Sequence, residues 1–201
     1  MCGRFYVPED DTDEMIVRIV EAADERVKRL NAAPVARGEV FPAQTVAALA
    51  LSRRGRPEAF PMRWGFTLGH GKQLINTRAE TADIKPIFRE SFATRRCLIP
   101  AAWYYEWAAT PGPDGKPRRE RFAIRPAAPG TVWLAGLYRF EPGQTLPALS
   151  ILTRAAAPEI AFIHDRMPVI CPSGSVNAWF DRNADPRMIT EAEQRMEARI
   201  G

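Results

Sequence analysis

Histidine and cysteine are scarce in this chain of 201 residues, with two of the first and three of the second. The cysteines, Cys2, Cys97 and Cys171, are odd in number and match neither a zinc-ligand spacing nor a disulfide framework. Neither a structural metal nor a disulfide-stapled secreted scaffold is therefore expected, and a reducing cytosol fits best. With only His70 and His164 available, a general protease is poorly supplied with site histidines. No run of 18 apolar residues occurs, so no membrane-spanning helix is expected. A basic segment followed by an apolar one is also missing at the start, where acids begin at Glu9, and no secretory signal is read.

Lysine is scarce too, and arginine supplies 24 of the 28 cations. Residues 1–25 carry eight acids and two bases, and residues 181–201 carry five and four. That leaves 22 basic against 11 acidic side chains in 26–180. The modest net charge of +4 thus hides a strongly basic middle, with arginine pairs at Arg53-Arg54, Arg95-Arg96 and Arg118-Arg119. Arginine is the better fork for phosphate, so nucleic acid is a candidate partner; a solvated surface is the alternative.

The length suits one domain, with no linker or internal repeat dividing it. Ile16, Val20, Ala23, Val27 and Leu30 recur at steps of four and three, which predicts an amphipathic helix starting near Thr12. Short strands are predicted at 45–51, 60–66, 74–78, 97–99, 104–107, 121–125, 131–140, 148–153 and 167–171. Residues 110–117 read as a hairpin loop and 157–163 as a short helix. Thr190-Glu191-Ala192-Glu193 matches a capping box and is expected to open a last helix. The fold class is α+β: a single domain, 1–201, with a mostly antiparallel, barrel-like β core flanked by helices.

Five segments carry candidate chemistry. Removal of Met1 would leave Cys2 with an α-amine and a thiol on adjacent carbons. With an aldehyde that pair forms a Schiff base and then closes a durable thiazolidine ring. In a strand over 74–80, Asn76, Arg78 and Glu80 would share one face, either a polar site or a plain exposed sheet surface. Glu106 sits among Trp103, Tyr104, Tyr105 and Trp107, where apolar surroundings suit a proton shuttle unless it points outward. His164, beside Asp165 and Arg166, is either a general acid or a structural histidine. Met62 to Phe66 reads as a buried strand ending at a glycine turn.

Cys2-Gly3-Arg4-Phe5, Trp64-Gly65, residues 76–81, Cys97-Leu98-Ile99-Pro100 with Tyr105-Glu106-Trp107, and residues 164–168 occur in this order. Together they resemble the SRAP domain, the SOS response-associated peptidase family, whose members act on abasic sites in single-stranded DNA. The resemblance implies self-removal of Met1 and covalent capture of the sugar aldehyde by Cys2. It implies that Asn76 positions the N-terminus and the sugar and that Glu106 shuttles protons. His164 would protonate the ring oxygen and support strand cleavage by β-elimination. Arg4, Arg78 and Arg166, with Gly3 and Trp64, would contact DNA. No metal, organic cofactor or membrane is implied, and a cytoplasmic monomer acting at damaged DNA in the nucleoid is expected.

Two departures from the family pattern stand out. The proline and further tryptophans that commonly follow the Trp-Gly pair are replaced by Phe66-Thr67-Leu68. The C-terminus also lacks a closing stretch that many members carry. Two other readings stay open: a peptidase using Cys2 with His164 and Glu106 or Asn76, and a non-catalytic single-strand-binding module.

Overall fold

A computed structural model describes residues 2–112 and 116–201, with His70 given by its backbone alone. The strands are β1 (Phe5–Val7), β2 (Gly38–Val40), β3 (Thr45–Leu51), β4 (Pro57–Trp64), β5 (Phe66–Thr67), β6 (Gln73–Leu74), β7 (Asn76–Arg78) and β8 (Arg96–Ala101). They continue as β9 (Trp103–Pro111), β10 (Pro117–Pro126), β11 (Val132–Arg139), β12 (Ala148–Ala155), β13 (Arg166–Pro168), β14 (Ile170–Cys171) and β15 (Met196–Ile200). The helices are α1 (Glu14–Leu30), α2 (Pro86–Thr94), α3 (Val176–Phe180) and α4 (Arg187–Thr190).

Helix α1 forms where the periodicity places it. Asp13 caps it, its carboxylate accepting from the amides of Met15 and Ile16 at 3.1 and 3.2 Å. Ile16, Ile19, Val20, Ala23 and Val27 are buried against β3 and β4, whereas Leu30, expected on the same stripe, is exposed beside the Asn31 cap.

Two main sheets share one apolar core. In the larger, β12-β4-β3-β8-β11 follow one another, and pairing of β11 with β12 closes them into a ring. Most pairs are antiparallel; β12 runs parallel to β4 and to β7. The second sheet has the order β15-β10-β9-β1-β2. The mixed α+β class and the barrel-like core are as expected. Chain continuity joins the sheets, because β8 belongs to the ring and β9 to the second sheet with only Ala102 between them.

Several local expectations are corrected. Thr190 ends α4 instead of opening a helix. The chain then extends into β15, whose register pairs Met196, Ala198 and Ile200 with Pro126, Ile124 and Phe122. Sheet pairing overrides the local capping signal there. Strand β7 stops at Arg78, and residues 79–81 turn into a 3-10 helix, so Glu80 leaves the strand face. Segment 167–171 is split into β13 and β14, and 157–163 yields only a 3-10 turn at Pro158–Ile160. The 110–117 hairpin joins β9 to β10, with Pro111 opposite Pro117; its tip, 113–115, lies outside the described residues.

Candidate active site

Strand β1 carries the N-terminal residues between the two sheets. Phe5 is fully buried, with its ring 5.1 Å from that of Trp64. Trp64 is held in turn by Nε1–H donating to the Ile75 carbonyl at 3.0 Å. The chain turns sharply after Trp64 because Gly65 adopts φ +119, a conformation that side chains resist. Trp64 is therefore a buried strut beneath the N-terminus with no surface to offer DNA, which corrects the expectation drawn for it.

Cys2 has no exposed surface. Asn76, itself buried on β7, donates from Nδ2 to the Cys2 carbonyl at 2.9 Å, tying the ring to the N-terminus. The Cys2 thiol points back to the Arg4 carbonyl at 3.9 Å. Burial pushes that thiol up to about 12, and the nearby charge of Glu106 pushes in the same direction. At neutral pH the sulfur is a protonated thiol, with the Glu106 side chain near enough to act on it.

Glu106 is buried on β9. Alternation along the strand puts it on one face with Tyr104, while Trp103, Tyr105 and Trp107 take the other face. The expected aromatic nest around Glu106 thus reduces, within β9, to Tyr104. Tyr104 is fully buried, opposite Phe5 in the register, and its hydroxyl finds no hydrogen-bond partner among the described residues. Asn76 Oδ1 is buried and likewise without a partner among the described residues.

His164 lies just before β13, which reaches the site through β12 and β7. Its Nδ1 is 3.0 Å from the Arg166 amide, which donates to it, and 2.7 Å from Asp165 Oδ1. One nitrogen cannot serve both at once: Nδ1 without a proton accepts from the amide, and Nδ1–H donates to the carboxylate. The structure thus ties Asn76 to Cys2 by a hydrogen bond, brings Glu106 near enough for its charge to act on the thiol, and sets His164 just before β13.

The expected phosphate-binding residues differ from one another. Arg78 is exposed, and Gly3 is half-buried beside Cys2. Arg166 grips Glu80 with both guanidinium arms, at 2.6 and 2.9 Å, and donates to the Thr153 carbonyl at 2.7 Å. Its charge is already engaged. Arg4 pairs with Glu39 at 2.9 Å and lies over the rings of Phe41 and Trp107, at 4.4 and 4.8 Å.

That last contact leads to a surface the sequence reading missed. On the outer face of β9, Trp103 stacks on Tyr6, with centroids 4.4 Å apart and planes 2° apart. Arg121 lies over Tyr105 at 4.7 Å and Arg119 over Trp107 at 5.6 Å. Strict alternation from Trp103 to Trp107 and from Arg119 to Arg121 on β10 was the available signal. Among the described residues, no group of three His, Cys, Asp or Glu side chains could hold a metal ion.

The geometry agrees with comparison to known proteins. The family model for SOS response associated peptidase (SRAP) matches residues 1–199, and the chain belongs to that family. It is 30% identical to the abasic site processing protein YoaM of Bacillus subtilis, over 92% of this chain and 82% of that one. It is 28% identical to the abasic site processing protein YedK of Escherichia coli, over 95% and 84%. The match to YoqW of Bacillus subtilis, at 32% identity, covers 68% of this chain and 64% of that protein, just under two thirds of its length. A crystal structure of a Bacteroides thetaiotaomicron protein shares the fold, with TM-score 0.75, 18% identity, and 99% and 91% of the chains covered.

Proposed function

We propose that this protein processes abasic sites in single-stranded DNA by covalent capture through Cys2, the whole chain acting as one domain. The observation that carries the reading is the Asn76–Cys2 tether beside buried Glu106, in a chain of the SRAP family. Loss of Met1 frees the α-amine, with Glu106 moving the protons. The amine attacks the ring-opened sugar aldehyde, and water leaves as the Schiff base forms. The Cys2 sulfur then adds to the imine carbon and closes the thiazolidine. Asn76 holds the Cys2 carbonyl, so amine and thiol are presented in one orientation. His164 supplies a proton at the sugar, and where the ring fails to close the Schiff base supports β-elimination. The arginine-lined aromatic face of β9 supplies stacking and charge for the flanking strand.

Two measurements test this together. Intact mass should show Met1 absent. An oligonucleotide with one abasic site should then give a heat-stable shifted band on a denaturing gel that an undamaged strand does not give. Retained Met1 with no band would remove the mechanism, because an acylated amine cannot form the ring. Cleavage of test peptides, without a DNA adduct, would favour the peptidase reading.

A further inference from the structure

The site holds one group that the mechanism above leaves unused. Among the described residues the buried Tyr104 hydroxyl finds no hydrogen-bond partner, a costly arrangement. It projects from the same face of β9 as Glu106 and lies opposite Phe5, three residues beyond Cys2. Asn76 Oδ1, on the residue that grips Cys2, is a second buried atom that finds no partner among the described residues. An orphan donor beside a nucleophile is what a site looks like before its charge has formed.

We propose that Tyr104 is a catalytic residue whose hydroxyl donates a hydrogen bond to the Cys2 sulfur once the thiol has lost its proton. The need is visible in the same chamber, where burial and the Glu106 charge both disfavour a thiolate. Burial foremost, with the Cys2 and Glu106 charges adding, holds the Tyr104 hydroxyl well above its ordinary value, so it stays a donor. In the closing step, the thiol proton passes to the Glu106 carboxylate. The sulfur pair forms the bond to the iminium carbon, and the C=N π pair moves onto nitrogen, giving a neutral ring amine. Tyr104 keeps its own proton throughout. Its hydrogen bond needs a rotation of the Cys2 side chain away from the Arg4 carbonyl.

The covalent part rests on the abasic-site reading; the effect on the thiol does not, and the test separates them. Iodoacetamide labelling of Cys2, read by peptide mass across pH, is compared in wild type and Tyr104→Phe, with melting temperature measured on both. The titratable groups facing the thiol are Glu106, Tyr104 itself and the α-amine of the chain, and only Tyr104 changes. The labelling midpoint should rise by about one pH unit and cross-linking at pH 7 should slow about tenfold. The melting temperature should stay equal or rise, because an unpaired buried hydroxyl is removed. An unmoved midpoint overturns the proposal, whether or not wild type cross-links. A lowered melting temperature with an unmoved midpoint would assign the hydroxyl to the fold. A moved midpoint with no wild-type cross-link keeps Tyr104 as the thiolate's partner and discards the abasic-site reading.

Discussion

The two faces of β9 differ sharply in what they carry. Inward, Tyr104 and Glu106 are buried polar groups beside Cys2. Outward, Trp103, Tyr105 and Trp107 are overlaid by Arg4, Arg119 and Arg121 or stacked on Tyr6. A low-dielectric interior strengthens each interaction with a developing charge, so the inner face suits bond making. The outer face keeps its charges near water, with the half-buried Trp103 and Trp107 at its surface, which suits reversible and salt-dependent grip on a strand. On the proposed function, one nine-residue strand would set rate on one side and affinity on the other, separated only by the pleat.

The sharpest way to break that comparison is at Glu106. Glu106→Gln keeps the shape and removes the base; cross-linking should slow by about 10²–10⁴-fold while equilibrium binding of single strands barely moves. Equal loss of binding would mean that the inner face also carries affinity. Trp107→Ala should do the reverse, weakening single-strand binding by about 1–3 kcal/mol in a titration, far more than it slows cross-linking at saturating DNA. A smaller effect is expected where the rim is already neutralised. Glu80→Gln releases Arg166 from its two-armed pair, and the slope of log affinity against log salt should steepen by about 0.7.

The smallest effect separates site from core. Cys97 is fully buried, and burial pushes its thiol up. A thiol that ionises less readily when folded stabilises the fold fully below its unfolded value. That contribution fades as pH rises, since the unfolded thiol ionises first. Cys97→Ala should therefore leave cross-linking intact and flatten the loss of stability above pH 9 by about 1.4 kcal/mol per pH unit, measured by urea melts at pH 8, 9 and 10.

What could be read from the sequence follows the range over which each signal acts. Helix α1 was readable because its apolar stripe repeats over four turns. Strand β1 was missed as a strand because three residues hold no periodicity, and its partners on β2 and β9 are remote in the chain. The capping box at Thr190 misled because the alternation of Met196, Ala198 and Ile200 acts only through β10. At the site, Cys2, Asn76 and Glu106 came from chemistry and motif order, and the fold joins them. The aromatic run around Glu106 was misread as one environment, although alternation sends three of its four rings to the opposite face. The segment around Trp64 was legible as a buried strand, and only the family resemblance gave it a DNA contact, for which its packing on Phe5 and the Ile75 carbonyl leaves no surface.

Capture through Cys2 turns on the identity of one bond, which mass mapping of the adduct reads out. Protein incubated with an abasic strand, without borohydride, is heated, digested and analysed by mass. The account predicts a sugar adduct confined to the peptide that begins at Cys2, with Met1 gone, absent in Cys2→Ala, and undiminished when no reductant is added. An adduct on a lysine, or one that survives only after borohydride reduction, would contradict ring closure by the Cys2 sulfur and with it the division of labour across β9.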